Sequence, residues 1–151
     1  MTDTASARLA LPLLQPGQAQ KELYHNEALA LLDLAVQAMV EAVGATTPPA
    51  TPAIGECWIV GAGASGAWAG QAGAIAGWTS GGWRFVAPIE GMTAWHRGSR
   101  RVVRYIGGEW QVAPGPGAPI GDPAGGSTVD AECRTAIAAI LATMRTQGLI
   151  A

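Results

Sequence analysis

The stretch IAGWTSGGWRFVA, residues 75–87, decides the fold. Two short runs of β-branched and aromatic residues flank Ser80-Gly81-Gly82, and glycine between such runs is typical of a tight turn. The pattern predicts a hairpin in which a strand from Ile75 to Thr79 pairs with a strand from Trp83 to Ala87. All six tryptophans of the chain lie within residues 57–114, so we expect the same kind of structure throughout that region.

The other strands of this region follow from the same pattern of short apolar runs between glycines. They are predicted over Glu56–Val60, Thr93–His96, Arg101–Ile106 and Glu109–Ala113. Residues 81–88 resemble residues 107–114 with a small slippage in register, which two similar hairpins in one small sheet would explain. Residues 48–113 are therefore predicted to form a small antiparallel β module of hairpins, rich in tryptophan and glycine.

A helix is predicted before the β module, because apolar residues recur there at helical spacings of three and four. This amphipathic helix is expected to run from Gln18 to Val43, with Gly44 as its C-terminal cap. The leucine-rich residues 1–17 are predicted to be an extended arm that packs on this helix or on a neighbouring subunit. Arm and helix together make up the first region of the chain, residues 1–47.

The last part of the chain is predicted to be a linker followed by a helix. Residues 114–127 are rich in proline and glycine and offer few side chains to a core. Within residues 128–151 a helix is expected, with Ser127 or Thr128 as its cap and Asp130 near its N-terminus. Its apolar stripe consists of Val129, Cys133, Ile137, Ile140 and Met144. This stripe needs a partner, either the first helix or copies of itself in a coiled coil. Together, the two predicted helices and the β module between them indicate an α+β fold.

The composition predicts a surface that other molecules cover. Only 13% of the 151 residues are charged, against about 25% in an ordinary soluble domain. The net charge of −2 gives no general attraction to nucleic acid, although four arginines cluster in one predicted hairpin. These arginines are Arg97, Arg100, Arg101 and Arg104. Self-association or incorporation into a larger assembly would account for the low charge.

The sequence indicates neither a signal peptide nor a membrane span. Residues 1–4 lack the basic start of a signal peptide, and no apolar core follows them. The longest apolar stretch is interrupted by Asp33 and Gln37. We therefore expect a protein that is made in the cytoplasm and does not insert into a membrane.

No residue pattern predicts a catalytic, metal or cofactor site. Cys57 and Cys133 are far apart, and the sequence has no CxxC motif or His/Cys cluster. Residues 61–66 match G-x-G-x-x-G, but the residues after them would not start the helix that dinucleotide binding needs, so a flexible glycine loop is expected. His25 and His96 have no motif around them. We expect a protein without enzymatic activity, metal or cofactor.

The tryptophans can serve either a core or a ligand, since exposed indoles stack on sugar rings and on bases. The chain has only one Phe and two Tyr, so tryptophan must supply much of the bulk of the core. Those predicted to be mostly buried are Trp58, Trp83 and Trp110. Trp68 lies in the glycine loop and is predicted to be an exposed stacking residue. With Arg97 and Arg100 at its rim, it would form a site for glycan contact.

Several sequence blocks in the first two-thirds of the chain match the pattern of a known family. The most specific are LPLLQPGQAQKE at residues 11–22 and HNEAL at residues 25–29, followed by Leu32-Asp33. Shorter blocks follow at residues 48–50 (PPA), 63–70 (GASGAWAG) and 82–88 (GWRFVAP). On these residues the chain resembles the uncharacterised DUF2793 domains, which occur in structural gene clusters of tailed phages and of gene transfer agents of alphaproteobacteria.

The resemblance implies a component of a phage-like particle, as part of a head spike or fibre or of a tail fibre. Such components are similar to trimeric adaptors whose outermost parts contact cell-surface polysaccharide, and the family has no catalytic residues to carry over. Our first hypothesis is a homotrimeric spike or fibre subunit of a virion or virus-like particle, with capsid, spike or fibre proteins as further partners. The alternative is a carbohydrate-binding module for host polysaccharide. A polysaccharide-cleaving enzyme is a third and less favoured hypothesis.

Overall fold

The structure is a computed structural model that describes residues 4–15, 17, 21–127 and 130–151. The chain divides into two compact units, residues 1–113 and residues 114–151. The first unit contains a helix and two β-sheets, and the second contains a helix. The prediction of an α+β fold with a helix near each end of the chain is confirmed.

The strands predicted for the β module are all present. The helix of the first unit is α1 (Lys21–Ala35), and its strands are β1 (Met39–Val40), β2 (Val43–Ala45), β3 (Cys57–Val60), β4 (Ile75–Thr79), β5 (Gly82–Val86), β6 (Thr93–His96), β7 (Arg101–Ile106) and β8 (Glu109–Val112). Strands β3 to β8 begin and end within one residue of their predicted bounds. Short runs between glycines were therefore a sufficient signal for this part of the chain.

The eight strands form two four-stranded sheets with the same layout. Sheet A has the order β1-β6-β7-β8, and sheet B has the order β2-β3-β4-β5. In each sheet three consecutive strands run antiparallel, and a short strand from earlier in the chain pairs in parallel with the first of them. The predicted antiparallel arrangement is confirmed for β3 to β8, whereas the parallel edge strands β1 and β2 were not foreseen.

The two similar hairpins lie in different sheets, which corrects the prediction that one sheet holds both. One is β4–β5 in sheet B and the other is β7–β8 in sheet A. Trp83 pairs with Trp78 on the face of sheet B that points away from sheet A, whereas Trp110 pairs with Tyr105 and packs on the core between the sheets. The slippage between the repeats explains the difference, because a shift of one residue moves a side chain to the opposite face of a strand.

The first helix is shorter than predicted. It ends at Ala35 rather than at Val43, and residues 18–20 at its predicted start lie outside the described residues. Gln37 turns the chain with a φ of 49°, a left-handed conformation typical of helix ends. The guanidinium of Arg8 donates hydrogen bonds to carbonyls in the last turn of α1 and in the turn after it. This cation completes the helix end where Gly44 was expected to do so.

The segment from Ala38 to Ala45, which was predicted to be helical as far as Val43, instead joins the two sheets. Its first half pairs with β6 and its second half pairs with β3. The hydrogen bonds to sheet A are Trp95 N–H to Ala38 O (2.7 Å) and Arg97 N–H to Val40 O (2.9 Å). Those to sheet B are Glu41 N–H to Cys57 O (2.8 Å), Ile59 N–H to Ala42 O (3.0 Å) and Gly61 N–H to Ala45 O (2.8 Å). One short stretch thus holds both sheets in a fixed relation.

The main core combines residues from both sheets and from α1. Its buried residues are Leu34, Ala38, Val40, Cys57, Ile59, Ile75, Ala94 and Val103. Leu34 of α1 lies so close to β4 that a Cβ atom at Gly77 would be 2.3 Å from the leucine side chain. Glycine is therefore required at this position for the helix to pack directly on the sheet.

The N-terminal arm is fixed to α1 through the buried carboxylate of Asp33, which is 3% exposed. This carboxylate accepts hydrogen bonds from the Ser6 hydroxyl (2.7 Å) and from the backbone amides of Arg8 (3.0 Å) and Leu9 (2.6 Å). Further along the arm, the amide N–H and the carbonyl of Leu14 both bond to the Asn26 side chain at 2.9 Å. The described part of the arm therefore packs on the helix that follows it, one of the two partners predicted for it.

The second unit is built on α2 (Ala131–Thr146). Its N-cap is Asp130, whose side chain accepts from the amide of Cys133 at 2.8 Å, so the cap is neither Ser127 nor Thr128. The negative charge of this carboxylate also interacts favourably with the positive end of the helix dipole. Gly148 follows the helix with a φ of 66°, a left-handed conformation that is typical of the residue after a helix end.

The segment before α2, which was predicted to be a linker, is hydrogen-bonded to the helix. Arg134 donates to the carbonyls of Pro123 and Gly125. Arg145 donates to the carbonyl of Ile120 (2.5 Å) and pairs with Asp122 (3.3 Å). Gly117 forms a short parallel bridge with Ile150. We call residues 117–125 the strap, and it lies along one side of α2.

Replacing Asp33 with Asn is expected to lower the free energy of unfolding by about 2 kcal/mol or more. The NH₂ group of the asparagine would face N–H or O–H groups that now donate hydrogen bonds to the carboxylate. A buried donor that loses its acceptor destabilises the folded state. The matched control is Glu27→Gln, which removes an exposed ion pair to Arg84 (2.7 Å) and should cost less than about 1 kcal/mol. Urea unfolding of both variants measures the difference, and equal losses would show that Asp33 does not fix the arm.

Candidate functional site

Trp68 is buried, so the prediction of an exposed stacking residue in the glycine loop is wrong. A single 3-10 turn at Gly66–Trp68 folds the indole back onto sheet B. There its ring lies 6.0 Å from that of Trp58 and 5.1 Å from that of Trp83, both centroid to centroid. Ser65 also donates its backbone N–H to the carbonyl of Thr46 at 2.9 Å. The loop therefore covers the outer face of sheet B rather than projecting from it.

Trp95 is the tryptophan that the structure exposes. Its side chain is 43% exposed, whereas Trp58 is 8% and Trp68 is 0% exposed. The remaining three tryptophans, Trp78, Trp83 and Trp110, are half-buried. Ala94, the neighbour of Trp95 in the sequence, is 4% exposed and packs in the core. Because side chains alternate along a β-strand, Trp95 points outward from sheet A. The candidate stacking residue therefore lies on the opposite sheet from the one predicted.

The residues around Trp95 form a continuous outward surface on sheet A. We define the Trp95 face as Trp95, Arg97, Val102, Arg104 and Gln111. Trp95 is directly opposite Val102, and Arg104 is directly opposite Gln111 on the next strand. The inward position between them is Val103, which is fully buried. The alternation thus places both Val102 and Arg104 on the exposed side, beside the indole.

Two arginines flank the indole at short range. Arg104 is diagonal to Trp95 across the β6–β7 pair, a relation that separates Cβ atoms by about 7 Å. Arg97 follows Trp95 by two residues, at the start of the turn after β6, and its backbone N–H still bonds to the carbonyl of Val40 in β1 at 2.9 Å. Arg97 also pairs with Glu41 at 3.0 Å, which holds its guanidinium at the edge of the face. An aromatic ring with a cation on two sides suits a ligand that has both an apolar face and a negative charge.

The arginines of this hairpin are mostly unpaired. Arg100, Arg101 and Arg104 are exposed, and their side chains have no ion pair or hydrogen bond to another described residue. Arg101 alternates with Val102 and so belongs to the opposite side of the strand. Arg100 lies in the turn after β6 with a φ of 54°. Arg97 and Arg100 are thus close to Trp95 in the fold, whereas Trp68 is not part of this surface.

Of the residues of the Trp95 face, only Arg97 was predicted as a site residue, and sequence reasoning missed Trp95, Val102, Arg104 and Gln111. The predicted strands Thr93–His96 and Arg101–Ile106 and the short turn between them could have identified Trp95, because the length of a turn fixes which residues of the two strands are opposite each other. With Val103 assigned inward, that register places Trp95 outward beside Val102. Gln111 becomes visible only with the register of the next hairpin.

The stripe predicted for the C-terminal helix remains open in the second unit. Cys133 is exposed, Ile137 is 38% and Ile140 is 58% exposed, and Met144 is half-buried. Val129 lies outside the described residues. The strap instead contacts the side of α2 that carries Arg134 and Arg145, with Leu141 buried on that same side. At 3.6 residues per turn, this side is about 100° around the helix from the stripe.

A groove of about 660 Å³ lies between the arm, α1 and the β4–β5 hairpin. Asp33 at its base is bonded to the arm, and Glu27 at its rim pairs with Arg84. Glu22 has one buried carboxylate oxygen for which no described residue is a partner. Most charged groups of the groove therefore already stabilise the fold, and we place the candidate site on the Trp95 face.

The groups that could support chemistry are dispersed. No group of three or more His, Cys, Asp or Glu within the described part of the chain is arranged to hold a metal ion. His96 shares a hydrogen bond with Ser99 through Nδ1 at 2.8 Å, and His25 is exposed on α1. The Cys57 thiol is buried, and burial raises its pKa from 9.0 to about 11, with nearby Arg8 opposing the shift. A thiol of this kind is protonated and unreactive at neutral pH.

The fold and the surface define a small α+β protein whose two sheets share a core and whose sheet A carries an exposed aromatic and cationic face. The comparison with known families gives the affiliation: the model for the protein of unknown function DUF2793 matches residues 25–111. The chain therefore belongs to the DUF2793 family, and the suspected resemblance is confirmed. No curated protein matches the chain. Neither described helix is long and apolar enough to cross a lipid bilayer.

Stability is expected to fall between pH 9 and about 11 because of Cys57. In this window the unfolded chain loses the thiol proton while the folded chain retains it, so rising pH favours unfolding. The shift of about two pKa units corresponds to at most about 3 kcal/mol. Urea unfolding at about pH 8 and about pH 10 measures how much the free energy of unfolding falls between the two pH values. This fall should be larger for Cys133→Ser than for the Cys57→Ala, Cys133→Ser double variant. Identical losses would mean that Cys57 is not buried as a neutral thiol.

Proposed function

We propose that this chain is a non-enzymatic structural subunit of a phage-like particle, either a tailed phage or a gene transfer agent. It acts as a homotrimeric spike, fibre or adaptor that takes part in attachment to the cell surface. The observation that carries the proposal is the apolar stripe of α2, which is left open by the strap. Membership of the DUF2793 family is consistent with this role, because the blocks of the resemblance from residue 25 onward lie within the residues that the family model matches.

The open stripe has the spacing of a helical assembly element. Cys133, Ile137, Ile140 and Met144 are separated by four, three and four residues, the alternation that knobs-into-holes packing uses. The strap already saturates the adjacent side of the helix with hydrogen bonds from Arg134 and Arg145. Ile140, at 58% exposure, is therefore free to bury itself against a copy of α2.

A second apolar surface lies on α1 in the first unit. Tyr24 is 86% exposed and Leu32 is 50% exposed, and eight residues apart they lie about 80° from each other around the helix. Two large apolar side chains exposed on neighbouring parts of one helix indicate a surface that a neighbour covers. With only 13% charged residues in the chain, contacts with capsid, spike or fibre proteins of the particle account for this surface.

The proposed location is the virion or virus-like particle, after synthesis in the bacterial cytoplasm. The alternative function is recognition of host surface polysaccharide by a carbohydrate-binding module. Trp95 favours this alternative, because an exposed indole on a sheet face is a group on which sugar rings stack. The two functions are compatible, since a trimeric attachment protein displays its glycan-binding face in several copies and gains avidity from them.

Light scattering on the purified chain tests the assembly. The expected mass is three times the 15.4 kDa of one chain. Ile140→Asp should weaken the trimer, because a charge would enter the apolar seam. The matched control is Ala142→Asp, an exposed position on the opposite side of α2, and it should remain trimeric.

The reactivity of Cys133 provides a second readout of the same interface. In the trimer this thiol lies in the seam, so alkylation should be slow in the unchanged chain and in Ala142→Asp. It should become fast in Ile140→Asp. A monomeric unchanged chain, or an Ile140→Asp variant that stays trimeric with a protected Cys133, would remove α2 from the proposed interface.

A further inference from the structure

We infer that the Trp95 face binds acidic saccharides, with a sugar ring stacked on Trp95 and a sugar carboxylate held by Arg104. This inference rests on the cell-surface part of the proposed function and names the chemical class of ligand. It does not depend on trimer formation, because each residue of the face belongs to the first unit of one chain.

The stacking position is open to solvent. Trp95 lies in the middle of a β-strand, with Met39 opposite it on one side and Val102 on the other. Val102 is 37% exposed, so an apolar border continues the indole surface along the row. A pyranose ring has an apolar side made of C–H groups, and such a side packs on indole in the same way that an aromatic ring does.

The charge of the ligand follows from the unpaired arginine. Arg104 is exposed, and no described carboxylate pairs with it. A guanidinium presents donors in a planar fork that matches a carboxylate. Arg97 pairs with Glu41 through one of its nitrogens, which leaves further donors for a second acidic unit. Charge complementarity therefore favours a saccharide with carboxylates over a neutral one.

The same face is poorly suited to nucleic acid. The chain has a net charge of −2, and Glu41 and Glu109 lie at the borders of the face. Affinity for nucleic acid depends on many cations along a phosphate backbone, whereas here only Arg97 and Arg104 flank a single indole. Gln111, opposite Arg104, adds an amide that can both donate to and accept from sugar hydroxyls.

Isothermal titration with short oligogalacturonates, and with the same oligomers after methyl esterification, tests the inference. The ester retains the sugar ring and removes the negative charge. The acidic oligomer should bind, and the ester should bind at least about tenfold more weakly, as expected when a charge-assisted hydrogen bond is lost. Equal affinity for the two forms, or no binding of the acidic form, would overturn the inference.

Substitutions identify the residues that produce the preference. Trp95→Ala should weaken binding of both oligomers, whereas Arg104→Gln should reduce acidic binding about tenfold and leave the weak ester binding unchanged. The control is Arg101→Gln, which removes the same charge from the opposite side of β7 and should have little effect. Arg101→Gln and Arg104→Gln with equal effects would show a general charge attraction and no site.

Two further measurements separate this inference from the proposed function. Light scattering should give the same mass for Trp95→Ala as for the unchanged chain. A trimer that binds no oligogalacturonate would retain the structural function and reject the saccharide site. Single-stranded DNA that binds more tightly than oligogalacturonate, with the same sensitivity to Trp95→Ala, would also reject it.

Discussion

The backbone hydrogen bonds that Ala38 to Ala45 makes with both sheets determine the rest of the first unit. Strand pairs at two edges fix the sheets relative to each other, so one face of each sheet is committed to the shared core. The segment is available for this role only because α1 ends at Ala35, where Arg8 completes the helix end and Gln37 turns the chain. The arm is thus part of the mechanism that positions the sheets.

The difference in solvent exposure among the tryptophans follows from this arrangement. The outer face of sheet B would leave Trp58 and Trp83 open, and Trp68 in the glycine loop covers them with a tilted ring contact to Trp58 and an edge-to-face contact to Trp83. The outer face of sheet A has no comparable loop among the described residues, so Trp95 stays exposed. A sheet with one packed face and one solvated face is common in antiparallel structures. Here the solvated face carries an indole and arginines, which is why we assign it to ligand contact.

The sequence was informative where the interactions are local. Strands β6 and β7 were predicted at their observed bounds, because glycines and a short turn delimit them. The end of α1 was not predictable from its own residues, since the cap is an arginine more than twenty positions away in the sequence. The burial of Trp68 likewise depends on contacts with rings on two distant strands. Of the predicted glycan contacts, Arg97 and Arg100 lie near the candidate site, whereas Trp68 was replaced by Trp95 because face assignment requires register.

The accessibility of the two indoles tests most directly whether the sheets are arranged as described. The chain labelled with ¹⁵N at tryptophan gives one indole N–H signal for each ring, and Trp68→Phe and Trp95→Phe assign the two signals. A soluble paramagnetic agent should broaden the Trp95 signal strongly and leave the Trp68 signal sharp, with slow exchange of the Trp68 N–H in D₂O. A broadened Trp68 signal beside a protected Trp95 signal would contradict both the packing of the sheets and the location of the candidate site.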